Sequence, residues 1–437
     1  MIPPRVPAPP RPTSRAAAIV GARRGREMDW ADTEEQAAFR REVSDFIEER
    51  LPELYRLRRS GGKGPGVHNS DWQFDLMLGE RDAQEAAREW AEALAEHGWS
   101  APHWPPEYGG AGLTAMEQFI FKQQLARQGA PVVGGPGAAM LGPTLIHHGT
   151  EEQRREFLPK TLSGEITWAQ GYSEPGAGSD LASLQTRAVR DGDDYVINGQ
   201  KIWTSMGHKA SWFFMLVRTD PDAPKHRGIS FLLLRKDTPG VEVRPLISGG
   251  WEHATNESFY ENVRVPVTQR IGEENRGWYV AMTLLDYERS NITGAVDHRK
   301  DLDELIAYLN TDEGRRRSRT SELDSTREHV TNRYIETEVL AQFAMRIISM
   351  QHSGQIPNYE ASMSKVFGGT LYQQVQQTGM KVFGLYSQLW EPAEEHAPLA
   401  ARYTQRSVHT ISASIAGGTH EIQRNIIASR GLGLPRG

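Results

Sequence analysis

Gly171-Tyr-Ser-Glu-Pro-Gly-Ala-Gly-Ser-Asp180 stands just before a run of strand-like segments and places two carboxylates among small, turn-forming residues. Gly176 and Gly178 permit close backbone approach or positive φ. Ser173, Ser179 and the backbone amides of the stretch can donate hydrogen bonds to an anion. The spacing matches neither GxGxxG nor GxxxxGK[ST], so the common nucleotide-loop mechanisms do not apply. Judged alone, the stretch is either a structural turn or a ligand cradle.

The composition of the chain excludes several classes of protein and of site. The chain has 437 residues, of which 38% are hydrophobic and 24% charged, as in an ordinary globular protein of two or three domains. Its net charge of −6 argues against a nucleic-acid binder driven by counterion release. No apolar run approaches the roughly 20 residues that span a bilayer. The absence of cysteine excludes disulfides, thiol nucleophiles and thiolate metal sites, and favours a cytoplasmic location.

The sequence predicts helices over most of the first third of the chain. Residues 1–27 are rich in proline and arginine, which predicts a disordered tail, or an upstream extension with the true start at Met28. Residues 28–164 follow with apolar positions three to four apart, the period of amphipathic helices. Thr114 and Glu117 have the spacing of a capping box at a helix start. We therefore expect an N-terminal α-helical domain over 28–164.

The spacing of apolar residues then changes from that of helices to that of strands. Over residues 165–272, apolar and polar residues alternate with a period of two, and Asn198-Gly199 between apolar segments predicts a hairpin turn. With no intervening helices, the segment predicts an antiparallel β-sandwich or barrel. Helical periodicity returns in 273–437, giving an α+β fold of α, β and α domains. His147-His148 fits an ordinary helix–turn pair, so no metal site is predicted.

Three further motifs accompany the opening stretch. They are Asn198-Gly-Gln-Lys-Ile-Trp-Thr-Ser205, then Gly272-Glu-Glu-Asn-Arg-Gly-Trp278 with Asp286-Tyr-Glu-Arg289 on the next helix, and finally Ala416-Gly-Gly-Thr-His-Glu-Ile-Gln-Arg-Asn-Ile426. In this order they resemble the acyl-CoA dehydrogenase family over nearly the whole chain from Met28. The resemblance implies an N-terminal helical domain, a central β-domain and a C-terminal four-helix bundle, with FAD held between the last two.

The same resemblance implies the cofactor contacts. Gln170, Tyr172 and Ser173 would border the isoalloxazine, and Trp203 would pack on the flavin. Ser205 stands where a threonine usually hydrogen-bonds flavin N5, and its hydroxyl keeps that role. The remaining cofactor residues implied by the resemblance are Gly178 in the glycine loop, Ser179 by the FAD pyrophosphate, and Thr419 and Glu421 near the phosphates and the ribityl-adenosine side.

The chemistry requires a base and an oxyanion donor. Removing an α-proton from a thioester needs a carboxylate, and the developing enolate oxygen needs preorganised hydrogen-bond donors. Many family members carry the base just before Gly-Thr near the C-terminus, where this chain has Gly417, whose backbone N–H would still donate to the thioester carbonyl. Another branch places the glutamate on the first long helix after the β-domain. Glu288 matches that position, and Arg289 would orient the site.

The resemblance also implies a reaction and partners: oxidation of an acyl-CoA to a trans-2-enoyl-CoA in lipid metabolism such as fatty-acid β-oxidation. Electrons would pass to an electron-transfer flavoprotein, and the protein would form a homodimer or homotetramer, with a hetero-oligomer as an alternative. Two other functions stay open. A flavin monooxygenase or oxidase could use the same scaffold. A non-catalytic subunit is suggested by Gly417 and by the absence of the family's Arg-x-x-Phe-Gly element between Asn291 and Ile347.

Overall fold

The computed structural model describes residues 32–59, 71–78, 80–288, 294–320 and 324–435. The tail predicted at 1–27 lies outside these residues. The N-terminal part is helical, with a π-helical turn at Gly135–Leu141. Its α-helices are α1 (Glu34–Arg50), α2 (Glu53–Arg59), α3 (Trp72–Leu78), α4 (Arg81–Glu96), α5 (Ala115–Gln128), α6 (Gly142–His148) and α7 (Glu151–Leu162).

The capping box predicted at the start of α5 is confirmed. The Thr114 hydroxyl accepts a hydrogen bond from the Glu117 N–H at 3.3 Å, and the Glu117 carboxylate accepts the Thr114 N–H at 2.7 Å. Such a cap satisfies amides that no intrahelical bond reaches and stabilises a helix by about 1 kcal/mol. It therefore fixes where α5 begins.

The central part of the chain is a sheet with strand order β6-β7-β3-β2-β4-β5-β8, and β1 pairs with β4 outside this path. Two of its pairings, β1 with β4 and the single contact Arg187–Arg218 of β2 with β4, are parallel. The sheet is therefore mixed, whereas the sequence pattern predicts antiparallel pairing throughout. The strands are β1 (Trp168–Gly171), β2 (Arg187–Asp191), β3 (Asp194–Lys201), β4 (Trp212–Arg218), β5 (Ile229–Arg235), β6 (Val241–Leu246), β7 (Thr255–Pro266) and β8 (Arg270–Ile271).

The hairpin predicted at Asn198-Gly199 is wrong. Both residues lie inside β3, and the chain turns instead at Gly192, between the paired residues Asp191 and Asp194. Gly199 has φ +153°, and the β3–β7 register shifts between residues 197 and 199. A Cβ at Gly199 would lie 2.7 Å from Thr186 Cα. The glycine therefore marks a bulge and a close backbone approach, which Asn-Gly permits as readily as a turn.

Helices return after the sheet, so the predicted succession of helical, β and helical domains is confirmed. α12 packs against α9, α11, α13 and α14, and α8 packs against β5, α6 and the π-helical turn. Within the described residues, no helix combines the length and apolar character that a membrane span requires. The helices are α8 (Gly277–Glu288), α9 (Gly294–Leu309), α10 (Asp312–Arg316), α11 (Asp324–His352), α12 (Tyr359–Phe383), α13 (Arg402–His409) and α14 (His420–Ile426).

Asp71 is a buried carboxyl group beside the start of the π-helical turn. One of its oxygens accepts the Gln73 N–H at 2.9 Å, and a Cβ at Gly135 would lie 2.9 Å from the other. Burial raises the pKa of Asp71 from 3.8 to about 7, and the nearby Asp75 carboxylate acts in the same direction. The folded protein therefore holds a proton that the unfolded chain has released between these two pH values. This group's contribution to stability falls as pH rises through that window.

Asp71→Asn is expected to remove most of that pH-dependent loss. The free energy of unfolding of the wild type should decrease, relative to that of the variant, by about 4 kcal/mol between about pH 4 and about pH 8, because a shift of one pKa unit corresponds to roughly 1.4 kcal/mol. Urea unfolding at a series of pH values measures both proteins. Parallel stability curves for the two would contradict the assignment.

Candidate active site

The stretch Gly171–Asp180 forms a tight loop directly after β1. Glu174 and Ala177 exchange two backbone hydrogen bonds of 3.0 Å, which closes the loop on itself. A Cβ built at Gly176 or Gly178 would meet nothing within 4 Å, and both glycines are exposed. These two glycines therefore do not relieve internal crowding; they leave an uncovered backbone surface that a ligand can approach closely.

The two carboxylates of this loop are occupied by protein partners. Glu174 is buried and forms an ion pair with the Lys201 ammonium at 2.8 Å. Asp180 accepts a hydrogen bond from the Ser183 hydroxyl at 2.6 Å and pairs with Lys225. Glu174 is therefore tied into the loop, whereas the hydrogen bonds from Lys225 and Ser183 hold the pKa of the exposed Asp180 carboxyl below its usual value and make it a weaker base.

An exposed indole follows β3. Trp203 has φ +63° and is 61% exposed, an uncommon backbone conformation for a large side chain. Hydrogen bonds of the next residue, Thr204, hold the backbone of Trp203 in this conformation. The Thr204 N–H donates to the Asn256 carbonyl at 3.0 Å, and the Asn256 side-chain amide donates to the Thr204 carbonyl at 2.9 Å. The Ile202 N–H donates to the Ser173 carbonyl at 2.9 Å, which ties this segment to the glycine loop. Ser205, beyond it, is exposed.

Two predicted flavin contacts come from β1 and its end. Gln170 is half-buried, and its Nε2 has no hydrogen-bond partner among the described residues. Tyr172 is buried, with its ring 6.0 Å from that of Phe214 and 6.3 Å from that of Phe231. A buried donor left unpaired is costly, so the Gln170 amide is a position where a bound group would supply the missing acceptor.

The C-terminal glycines form a second turn. Gly417 and Gly418 have φ of +64° and +84°, and no described residue accepts a hydrogen bond from the Gly417 N–H. The Thr419 hydroxyl accepts the Ile422 N–H at 3.2 Å and so caps α14. Glu421 is exposed and lies 3.4 Å from Arg424, an arginine that offsets part of its charge.

The predicted base is placed by α8. This helix ends at Glu288, four positions after Leu284, which is fully buried in the same hydrophobic cluster as Trp168 and Tyr172. The side chain of Glu288 and the whole of Arg289 lie outside the described residues. One position before Leu284, the Thr283 hydroxyl lies 2.9 Å from His148 Nε2, a hydrogen bond that anchors α8 to α6.

Sequence reasoning missed two residues that build the site. Asn256 fixes the Thr204 backbone, and Lys201 is fully buried beneath the glycine loop. A signal for Lys201 exists: it ends a strand whose inward positions include Tyr195 and Ile197, and simple alternation along that strand puts the lysine on the same, core side. No local signal marks Asn256, because its role depends on a pairing across 52 residues.

Comparisons with known proteins identify the family of this chain. Family models match as "Acyl-CoA dehydrogenase, N-terminal domain" over residues 76–165, "middle domain" over 169–263 and "C-terminal domain" over 275–432. The acyl-CoA dehydrogenase IpdE1 of Mycobacterium tuberculosis is 34% identical over 91% of this chain and 97% of that protein. FadE26 of the same organism is 36% identical over 82% of this chain and 91% of that protein.

Solved structures show the same likeness over the whole length. The "Tcur3481-Tcur3483 steroid ACAD" is 32% identical with a TM-score of 0.77, covering 94% of this chain and 100% of that chain. The ChsE4-ChsE5 complex from Mycobacterium tuberculosis is 34% identical with a TM-score of 0.74 and the same coverage. The chain therefore belongs to the acyl-CoA dehydrogenase family. It is an oxidoreductase of that class, as the resemblance of its motifs predicts.

Proposed function

We propose that this protein is an FAD-dependent dehydrogenase that converts a ring-containing, steroid-type acyl-CoA to its trans-2-enoyl-CoA. The observation that carries the cofactor part is the exposed Trp203 indole, held at positive φ and tied through Ile202 to the open glycine loop. Domain boundaries at 28–164, 165–272 and 273–437 belong to the same proposal.

The residues present fit FAD. The uncovered backbone at Gly178 and Ser179 suits the pyrophosphate, and Trp203 offers an aromatic face to the flavin ring. The unpartnered Gln170 amide and the exposed Ser205 hydroxyl are two further hydrogen-bond donors that the bound group could use. When bound, FAD would accept the hydride that leaves the β-carbon, which no amino-acid side chain can do.

The chain's own residues supply the proton transfer. Glu288 would remove the α-proton, since the two carboxylates of the glycine loop already have protein partners. Negative charge then develops on the thioester oxygen, and the Gly417 N–H would donate to it. Arg289 would orient the carboxylate. In this arrangement Glu288 begins each turnover deprotonated and ends it protonated.

The substrate part rests on the names of similar proteins. The small residues that enter the π-helical turn supply no cavity, because a Cβ at Gly135 would lie 2.8 Å from Gln73 and one at Gly137 would lie 2.6 Å from Trp168. The similar solved protein that is named a steroid ACAD motivates the choice of a steroid-type acyl chain over a straight fatty acyl chain.

The exposed apolar surface of the C-terminal helical region bears on the subunits with which this chain assembles. Large apolar side chains are exposed on the C-terminal helical region, among them Ile356, Leu385, Ile415 and Leu432. Such surface suits burial against another subunit. Two similar structures carry paired names, so we propose assembly with a second subunit of the same family, in addition to the homodimer or homotetramer that the sequence predicts. Electron-transfer flavoprotein as acceptor and a cytoplasmic location stay predictions.

An anaerobic substrate panel tests the proposal. The purified protein should be yellow, and a steroid side-chain acyl-CoA should bleach its visible flavin absorption at least about tenfold faster than a straight-chain acyl-CoA of equal chain length, a preference worth about 1.4 kcal/mol. A colourless protein that takes up no added FAD would contradict the cofactor assignment. Faster bleaching by the straight chain would contradict the substrate class alone.

A further inference from the structure

We propose that the buried Glu174–Lys201 ion pair is a positioning device for the flavin. It holds the glycine loop and the Trp203 segment at a fixed separation. The inference rests on the proposed function, because it concerns residues assigned to FAD. It goes beyond that proposal by giving a role to two residues that do not themselves contact the reacting atoms.

The pair joins three separate segments of the chain. Lys201 Nζ donates to the Glu174 carboxylate at 2.8 Å and to the Tyr172 carbonyl at 3.1 Å. The same carboxylate accepts the backbone N–H of Gln185 at 2.6 Å and that of Thr186 at 2.8 Å. Besides each other, the two charges are therefore hydrogen-bonded to the Tyr172 carbonyl in the loop and to Gln185 and Thr186, which lead into β2. Moving either side chain moves the loop.

The predicted flavin contacts flank this cross-link on both sides. Tyr172 and Ser173 directly precede Glu174, and Trp203 comes two positions after Lys201. The Ile202 N–H donates to the Ser173 carbonyl at 2.9 Å, so a backbone bond runs parallel to the ion pair. The two bonds together fix the distance between the loop that would hold the pyrophosphate and the indole that would cover the flavin ring.

Stability alone is a poor reason for such a pair. The Lys201 side chain is fully buried and that of Glu174 is 8% exposed, so both charges have lost their hydration. Well-packed apolar residues of the same volume commonly stabilise a fold as much as a buried ion pair does. A salt bridge fixes direction and distance in a way that apolar packing does not. The geometry therefore favours placement of the cofactor loop as the role of the pair.

Another buried ion pair offers a matched control. Arg406 and Asp301 lie 2.8 Å apart in the C-terminal helical region, and their side chains are 14% and 6% exposed. Neither residue adjoins a predicted flavin contact in the chain. Replacing this pair should change the stability of the fold about as little as replacing Glu174 and Lys201, without changing the environment of a bound flavin.

The test compares Glu174→Gln/Lys201→Met with Asp301→Asn/Arg406→Met. Each double variant removes both charges together, so no single charge is left buried and unpaired. For each apo-protein we would measure the thermal midpoint, the FAD dissociation constant by fluorescence titration, and the visible circular dichroism of the bound flavin. The dichroism reports the fixed orientation of the flavin, and a purely structural role would not alter it.

The Glu174/Lys201 double variant should keep an apo thermal midpoint near that of the wild type. Its FAD dissociation constant should rise at least about tenfold, and its flavin dichroism should change. The Asp301/Arg406 control should bind FAD within about twofold of the wild type with unchanged dichroism. Glu174→Asp, which keeps the charge but shortens the side chain, should show the same change at smaller size if the double variant does not fold.

Two results would overturn the inference, and they are distinguishable. Wild-type FAD affinity and dichroism in both the Glu174/Lys201 double variant and Glu174→Asp would leave the proposed function intact and remove the positioning role. A wild-type protein that binds no FAD would instead overturn the proposed function, and this inference with it.

Discussion

Glu288→Gln is expected to lower the rate of flavin reduction by acyl-CoA by about 10²–10⁴-fold, the range over which a positioned general base contributes. The amide cannot accept the α-proton, yet it is nearly isosteric and removes no cofactor contact. Bound FAD should therefore be retained at the wild-type level. Rapid mixing of the loaded protein with acyl-CoA under anaerobic conditions measures the rate as loss of visible flavin absorption.

Glu96→Gln is the matched control for this change. Glu96 is also the last residue of its helix, α4, and its carboxylate is paired at the surface with Arg50 at 2.6 Å. An exposed pair of this kind contributes little to stability, so the control should reduce its flavin at the wild-type rate. Bleaching of the Glu288→Gln protein at that same rate would show that another group removes the proton.

Gly277→Ala is expected to destabilise the fold by about 1–3 kcal/mol, the usual cost of forcing extra volume into a packed site. Gly277 is the first residue of α8, and a Cβ there would lie 2.3 Å from the Ser230 carbonyl carbon and 2.4 Å from the Phe231 nitrogen. These are backbone atoms of β5 and cannot swing aside, so the helix must move. Since α8 carries Glu288, the rate of flavin reduction should fall as well.

Gly294→Ala is the control for the Gly277 substitution. Gly294 is likewise the first residue of a helix, α9, but a Cβ there would meet nothing within 4 Å. It should leave stability unchanged or raise it by up to about 1 kcal/mol. Urea unfolding of both variants measures the difference. Equal stabilities for the two would mean that α8 is not seated on β5 as described.

The sequence allowed much of the architecture to be predicted, because the informative signals are local. The Thr114 capping box is a contact between residues three apart, and periodicity separates helical from β regions. The glycine loop is ambiguous alone. It became informative through its order relative to Trp203 and to the Gly417 turn, and the family assignment that this order suggests is confirmed.

The wrong predictions concern parts of the structure that depend on contacts between residues far apart in the sequence. Parallel pairing of β1 with β4 depends on a crossover through the β2–β3 hairpin and not through a helix, so the usual pattern for parallel strands is missing. Gly199 avoids a clash with Thr186, which sequence spacing does not reveal. The alternation of β3 predicts an inward Lys201, but its partner Glu174 is 27 positions away, so no local pattern reveals the ion pair.

The most direct test of the proposed reaction is the mass of the product. The protein would be loaded with FAD and incubated anaerobically with one equivalent of a steroid side-chain acyl-CoA, and the thioester analysed by mass spectrometry. We predict a thioester lighter by two hydrogen atoms, formed in step with bleaching of the flavin and formed about 10²–10⁴-fold more slowly in Glu288→Gln. Recovery of the unchanged thioester from a protein that has bound FAD would contradict the account.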